Sequence, residues 1–242
     1  MIINQRQDTW EVIYHRGHAL LAAKLAARWS HSDRPARLIE SIAAIFNHDD
    51  LEREWEGNHL GPNGMPLDFT LNEKLEVDKI ERLVEGASYR ARFVALLTSM
   101  HVSFLFEPMR GNDKKLDTLL DDQTVLQKSL RSALKLKKGE VEQDYAFMQW
   151  CDRLSLILAR RELPERERRL EISKGPDGRR YDILQREDET ITVEPWPFED
   201  DAFTVDLEAA YLTKIIFEDN AELTAALKAA EVHTLEWRFV RG

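Results

Sequence analysis

The spacing of apolar residues changes once along the chain, near Arg169, and this change limits the folds open to it. Before Arg169, apolar residues recur three or four positions apart, which is typical of helices with one buried face. After it, short β-prone runs alternate with turn signals such as Pro176-Asp177-Gly178. We therefore predict an α+β fold, with a mostly α-helical bundle over residues 1–165 and a small β-rich C-terminal subdomain over residues 166–242 packed against it.

Apolar periodicity indicates six helices in the first part of the chain. They run from about Gly17 to Ser30, from Ala36 to His48, through residues 82–106 as two helices broken near Gly86–Ser88, from Lys115 to Lys138, and from Glu140 to Pro164. The last is apolar on several faces, so it is predicted to be central and largely buried. The β-branched and aromatic residues on both sides of residues 6–9 also allow a short N-terminal hairpin.

Composition excludes several classes of protein. The chain has 242 residues, 43% of them hydrophobic, and its formal net charge of −10 argues against a nucleic-acid partner, which needs a basic surface. No apolar run approaches the roughly 20 residues of a membrane span, and the N-terminus lacks signal-peptide features. The single Cys151 allows no disulfide within the chain. We expect a cytoplasmic protein without a membrane partner; the oligomeric state is not predicted.

Four of the predicted helices each place an imidazole or a carboxylate on an apolar face. The residues are His18, His48 with the adjacent Asp49, His101 and Asp152. A single histidine in a core is usually hydrogen-bonded to a neighbouring group, but buried carboxylates are costly unless they are paired or bind a metal. Several imidazoles and carboxylates that converge in one bundle form a ligand set suited to Mn, Fe, Zn, Co or Ni. We therefore predict a site for a divalent metal ion whose identity the sequence does not give.

The order of these residues resembles that of a known superfamily. A histidine, an adjacent His-Asp pair and a distant aspartate are similar to the ligand pattern of the HD superfamily of metal-dependent phosphohydrolases. More closely, the chain resembles an uncharacterised bacterial family known only as domain-of-unknown-function family 3891, with an HD-like core. The resembling segments are HALLAAKLAARW, IAAIFNHDDLEREWE, GMPLDF, LLTSMHVSFL, WCDRLSLIL and EPWPF. The chain departs from that family at Leu51-Glu52, where Gly-Trp is frequent.

The resemblance implies an HD-domain-like helical bundle and a role for each residue. One divalent ion would be bound by four ligands: His18, His48, Asp49 and Asp152. The aspartate of the His-Asp pair would be able to bridge to a second ion. A bound cation lowers the pKa of its water ligand and polarises a phosphoryl oxygen. His101 is then the candidate second-metal ligand or general acid, and Asp50 is the candidate catalytic partner that, with Glu54, would orient the imidazoles.

The predicted function is that of a metal-dependent hydrolase, with a phosphorylated small molecule or a nucleotide as its anionic substrate. Candidates for contact with that substrate are Arg90, Arg92 and Arg110. Two alternatives stay open: a non-catalytic, metal-containing binding or interaction module, and a di-iron oxygenase of the HD type, which usually needs more histidine ligands than His101 supplies. A helix that begins near Gly17 would point His15 away from the site, and His59 is expected at the surface of a loop.

Overall fold

The N-terminal hairpin that the sequence allows is present in the computed structural model, which describes residues 1–51, 57–71 and 76–242. Strands β1 (Ile2–Arg6) and β2 (Thr9–Ile13) are antiparallel, and two residues connect them. The side chains of Ile2 and Ile13 are completely buried. The hairpin therefore contributes directly to the hydrophobic core.

Seven α-helices lie within the described residues: α1 (His15–Ala27), α2 (Leu38–Asn47), α3 (Val77–Ser88), α4 (Arg92–Phe106), α5 (Lys114–Leu134), α6 (Lys138–Ala159) and α7 (Asn220–Ala229). Helix α1 begins two residues before the predicted start at Gly17. The helix predicted to reach Lys138 ends at Leu134, because Lys135 adopts a left-handed conformation with a φ of 55°. In this part of the chain no helix is both long enough and apolar enough to cross a lipid bilayer.

Five further strands complete one mixed sheet: β3 (Leu170–Lys174), β4 (Arg180–Gln185), β5 (Ile191–Glu194), β6 (Ala202–Leu212) and β7 (Glu231–Val240). The strand order is β1-β2-β6-β7-β5-β4-β3, and every neighbouring pair is antiparallel except β5 and β7. The sheet curls into a half-barrel. Strand β6 is central to its continuity, since it pairs with β2 on one side and with β7 on the other.

The predicted fold class, a mostly helical HD-domain-like bundle with a small β-rich C-terminal subdomain, is wrong. Trp10 in β2 lies opposite Leu212 in β6, so strands from both ends of the chain form a single seven-stranded sheet. An isolated two-stranded hairpin is at best marginally stable, and pairing with β6 removes that weakness. The expectation of a core made of helices alone is also wrong. The buried cluster includes strand residues such as Val205 and Phe239. The division into domains at residues 165 and 166 stays a prediction.

Two helices connect the sheet to the remaining helices. Helix α1 packs against β6, and α6 packs against β3 and α1. Where these elements meet, the ring of Trp29 stands edge-on to Phe147 and Trp150, with centroid distances of 5.1 and 4.8 Å. Edge-to-face contacts of this kind are favourable beyond the apolar area that they bury. This aromatic cluster holds α1 and α6 in a fixed relation to each other.

Candidate metal centre

Helices α2 and α6 pack against each other and both contact α1 and α4, so side chains from all four helices meet in one place. His18 lies near the start of α1, His101 in α4 and Asp152 in α6. His48 is the C-cap residue of α2 and is followed directly by Asp49. The Nδ1–H group of His48 donates to the carbonyl oxygen of Ile45 at 2.5 Å, which leaves Nε2 of this ring for the interior.

Two short contacts link histidines to carboxylates in this cluster. Nε2 of His18 lies 2.8 Å from Oδ2 of Asp49, and Nε2 of His48 lies 3.0 Å from Oδ1 of Asp152. The His48 Nε2 atom is also 3.6 Å from Oδ2 of Asp49. The other nitrogen of His18, Nδ1, is hydrogen-bonded to the hydroxyl of Ser155 at 3.2 Å. The two imidazoles and the two carboxylates therefore form one connected group.

The potential ligand atoms of this group fall into two overlapping sets. In one set, His18, His48 and Asp152 each offer an atom within 4.8 Å of the others; in the second, His48, Asp49 and His101 do the same. The structure thus brings together all four predicted ligands and His101. Their roles as metal ligands or as a general acid stay predictions. Three imidazoles and two carboxylates are donors that suit divalent transition metals.

Burial is uneven across this group, which we call the His-Asp cluster (His18, His48, Asp49, His101, Asp152). The three imidazoles are at most 2% exposed. The carboxylate side chains of Asp49 and Asp152 are 19% and 15% exposed. The carboxylates therefore lie on the side of the cluster that faces solvent. A small molecule would approach the cluster from that side.

Burial and charge set the protonation states in the cluster. Burial opposes the protonation of His48, but the adjacent carboxylates of Asp49 and Asp152 outweigh it and raise the pKa of His48 to about 10. Burial likewise acts to raise the pKa values of the two carboxyl groups, but the neighbouring histidines hold both below their usual range. Burial and the charge of His48 together lower the pKa of His101 to about 4. At neutral pH His101 is therefore neutral and resists protonation, which leaves a ring nitrogen able to bind a cation.

His101 is supported by a residue that the sequence did not single out. The Tyr145 hydroxyl is hydrogen-bonded to Nδ1 of His101 at 3.3 Å, and Tyr145 is itself buried. Tyr145 precedes Asp152 by seven residues and Ser155 follows it by three, so all three share one face of α6. This helical spacing from Asp152 is the sequence signal that could have identified Tyr145 and Ser155 as neighbours of the site.

The structure places His15 differently from the expectation. Because α1 begins at His15, this side chain is buried, and its ring centroid lies 5.9 Å from that of His18. Its ring also stands edge-on to Phe69 at 4.7 Å. His59, expected at the surface, is buried in its loop. The helix start, placed two residues too late by the periodicity, accounts for the error at His15.

Asp50 occupies a different environment from Asp49. Its Oδ1 atom accepts a hydrogen bond from Nε of Arg16 at 2.8 Å, and it belongs to neither set of potential ligand atoms. Its suggested role in orienting the imidazoles stays a prediction. The partner suggested for it, Glu54, lies outside the described residues.

A basic cleft begins at this Arg16–Asp50 pair. It has a volume of about 650 Å³, and its charged lining residues are Arg16, Asp50, Glu76, Lys79, Arg82 and Arg90. Of the arginines proposed to contact substrate, Arg90 lines the cleft, whereas Arg110 is ion-paired with Glu107 and Asp121. Arg92, the first residue of α4, is exposed. Arg16 is paired with Asp50 and Lys79 with Glu76, and Arg82 and Arg90 give the described part of this cleft a net positive charge that suits an anion.

Comparison with known proteins identifies the family of the chain. The model of a family described as a protein of unknown function, DUF3891, matches residues 1–214. No curated protein and no solved structure matches the chain.

Proposed function

The chain belongs to the DUF3891 family, and we propose that it is a metal-dependent phosphohydrolase acting on a phosphorylated small molecule or a nucleotide. One observation carries the proposal: three imidazoles and two carboxylates, contributed by α1, α4, α6 and the C-terminal end of α2, lie with their potential ligand atoms within 4.8 Å in two sets that share His48. Titratable groups with strongly shifted pKa values that cluster in this way are typical of functional sites. The family is described as a protein of unknown function, so the match supports no particular activity.

The donor set fits a divalent ion of the Mn, Fe, Zn, Co or Ni type. Catalytic metal sites keep one coordination position open for water or substrate, whereas structural sites are closed by protein ligands. The partial exposure of Asp49 and Asp152 supports an open site. When bound there, the cation would supply a water ligand of lowered pKa and would polarise a phosphoryl oxygen.

The residues of the chain would do the remaining work. His101, neutral at neutral pH and hydrogen-bonded to Tyr145, would offer its other ring nitrogen to the cation. The basic side chains of Arg82 and Arg90 would hold the phosphate of the substrate in the cleft. Hydrogen bonds of His18 to Ser155 and of His48 to Ile45 keep the two imidazoles in position.

The resemblance to HD phosphohydrolases supports this proposal through the chemistry of the ligands alone. The order of the four ligands is similar to that superfamily's pattern, while the helical bundle expected from it is wrong. Fold and function are separable, since the same chemistry recurs on unrelated folds.

A second candidate is a non-catalytic module whose metal is structural. The observation in its favour is that the cluster already satisfies itself: His18 pairs with Asp49 and His48 pairs with Asp152. Imidazoles and carboxylates paired in this way need no further partner to be buried. Under this alternative the loss of an aspartate would unfold the protein, whereas a catalytic site would lose turnover with the fold retained.

The test combines metal analysis with a hydrolase screen. The wild type, Asp49→Ala and Asp152→Ala would be reconstituted with Mn, Fe, Zn, Co or Ni, and metal content, thermal unfolding and phosphate release from a panel of phosphate esters and nucleotides would be measured. Asp122→Ala is the matched control, because Asp122 is an exposed aspartate on α5. Stoichiometric metal and phosphatase activity, both lost in the two cluster variants with the fold retained, are the expected results.

Three other outcomes would contradict the proposal. Absence of metal after reconstitution would show that the His-Asp cluster does not bind a metal ion. Metal binding without turnover, with both cluster variants unfolded, would favour the structural module. Two iron atoms per chain with oxygen consumption and no phosphate release would favour an oxygenase.

A further inference from the structure

A second cavity lies beyond the C-terminal end of α1, away from the His-Asp cluster. It has a volume of about 490 Å³, within the range of small-molecule sites. We call it the tryptophan cavity; the lining residues used below are Trp29, Arg34, Asp144, Tyr181 and Trp196. Along α6, Asp144 is eight residues from Asp152, or about 12 Å of helix. The two sites are therefore separate, although α6 contributes residues to both.

The aromatic walls of the tryptophan cavity are fixed by hydrogen bonds between loops. The backbone N–H of Ser30 donates to the carbonyl oxygen of Pro197 at 2.9 Å, and the N–H of Glu199 donates to Arg28 at the same distance. The indole N–H of Trp196 donates to the carbonyl oxygen of Asp200 at 3.1 Å. A cavity that is formed before binding saves the ligand the free-energy cost of ordering it.

The charges around the cavity fall into two groups. Five of the seven charged lining residues are engaged with protein groups: Arg37 with Glu40, Arg179 with Asp177, Glu140 with the backbone N–H of Lys137, and Asp33 with the hydroxyl of Ser32. The other two are Asp144 and Arg34. Neither has a hydrogen bond or an ion pair with a residue in the described ranges.

The carboxyl group of Asp144 is the less expected of the two. It is half-buried, and burial, helped by the charge of Glu140, outweighs the charge of Arg37 and raises its pKa to about 6. A carboxylate removed from water is normally paired, and this one lines a cavity whose partly exposed aromatic residue is Trp196. Aromatic faces attract cations, as the carboxylate does. An ammonium group is thus favoured beside Asp144, while the exposed guanidinium of Arg34 favours a carboxylate.

We propose that the tryptophan cavity binds a small zwitterion of the amino-acid type, whose ammonium group pairs with Asp144, whose carboxylate pairs with Arg34, and whose apolar body packs against the partly exposed indole of Trp196. The proposal does not depend on the activity of the His-Asp cluster. It assigns a ligand class to a site that the metal chemistry does not use.

The test is equilibrium binding of the twenty standard amino acids to the full chain, by calorimetry and by tryptophan fluorescence, in chelator and after metal loading. The strongest ligand is then compared with its decarboxylated amine and its deaminated acid. We expect the zwitterion to bind roughly tenfold or more tightly than either analogue, since each analogue leaves one charged group unpaired. Metal loading should leave the affinity unchanged within a factor of about two, because the two sites are separate.

Two charge-removing variants and two controls complete the experiment. Asp144→Asn and Arg34→Gln should each lower the affinity by roughly tenfold to a hundredfold, whereas Asp122→Asn and Arg6→Gln, at exposed positions elsewhere, should not change it. Circular dichroism and thermal unfolding verify that all four variants are folded. The proposal is overturned if no amino acid binds with a Kd below about 10 mM. It is equally overturned if an analogue binds as tightly as the zwitterion, or if the cavity variants bind like the controls.

Discussion

Arg161 donates two hydrogen bonds to a carboxylate that is completely buried, that of Glu11: Nε to Oε1 at 2.7 Å and Nη2 to Oε2 at 2.5 Å. Tyr211 donates to the same carboxylate at 2.5 Å and Asn4 donates to it at 3.0 Å. Arg161 follows α6, whereas Glu11 lies in β2 and Tyr211 in β6. The pair therefore fixes the end of the helix that carries Asp152 onto the sheet.

Replacing Arg161 with Met should lower the free energy of unfolding by about 3–5 kcal/mol, because the buried carboxylate of Glu11 loses its countercharge. Urea denaturation with far-ultraviolet circular dichroism would measure the change. Arg160→Met is the control: Arg160 pairs with Glu162 on a partly exposed surface, and such pairs contribute at most about 1 kcal/mol. Equal losses in the two variants would show that the buried pair has no special role.

The stability of the metal-free protein should depend on pH through His48. Its pKa is raised from 6.5 to about 10, so its stabilising contribution is complete below pH 6.5 and is lost as the pH rises towards 10. Asp49 and Asp152 have lowered pKa values, so their contribution is present above about pH 3.8 and is lost at lower pH. The lowered pKa of His101 acts in the opposite sense to that of His48: its contribution is present above pH 6.5 and is lost as the pH falls towards 4. In chelator, the cluster should therefore stabilise the fold most near pH 6.5.

Denaturation at pH 6 and at pH 10 tests this window. The difference in stability between the wild type and His48→Gln should be larger at pH 6 than at pH 10, because only the protonated imidazole pairs with the carboxylates. His233→Gln serves as the control, since His233 is half exposed and contacts Glu231 in β7. A stability difference for His48→Gln that does not change with pH would mean that His48 is not protonated in the fold.

Metal binding should release protons. A cation must displace the proton that His48 carries at pH 7, since only a neutral imidazole binds a metal. Calorimetric titrations in buffers of different ionisation enthalpy would measure the release, which we expect to be about one proton per ion, and the apparent affinity should fall as the pH is lowered. Tight binding with no release would show that the ion binds elsewhere.

Alanine substitutions at two glycines with similar backbone conformations can distinguish the free-energy cost of backbone strain from that of a steric clash. Gly64 has a φ of +74° and Gly178 a φ of +77°. A Cβ atom on Gly64 would lie 2.8 Å from the carbonyl oxygen of Phe217, whereas one on Gly178 would meet nothing within 4 Å. Gly178→Ala should cost about 1–2 kcal/mol from the left-handed conformation alone. Gly64→Ala should cost clearly more in the same thermal-unfolding assay; a smaller or equal cost would mean that the loop moves away freely.

Local signals in the sequence predicted local structure well. Asp and Asn are favoured as helix N-caps, so the sequence offers Asp219 or Asn220 as the cap of α7. The cap is Asp219, which accepts a hydrogen bond from the backbone N–H of Glu222 at 2.8 Å. The Pro176-Asp177-Gly178 turn joins β3 to β4 as expected. Both features depend on residues within three positions of each other. The pairing of β2 with β6 depends on residues at opposite ends of the chain, and no pattern in one sequence encodes which strands become neighbours.

The candidate site shows the same division. Periodicity placed His18, His48, His101 and Asp152 on apolar faces, and the packing of four helices brings these faces together. It did not give the start of α1, which decides the orientation of His15. A helix start depends on capping, and Tyr14 makes no capping hydrogen bond through its side chain that would mark it.

The order of the strands has a consequence for how the protein is made. Trp10 and Leu212 pair across β2 and β6, although 202 positions (212 − 10) separate them in sequence. At about 5–20 residues per second, a ribosome takes roughly 10–40 s to produce the second strand after the first. Throughout that interval the nascent hairpin has an edge without its native neighbour, open to other strands or to chaperones. The N-terminal hairpin therefore stays exposed to aggregation until β6 has been synthesised and pairs with β2.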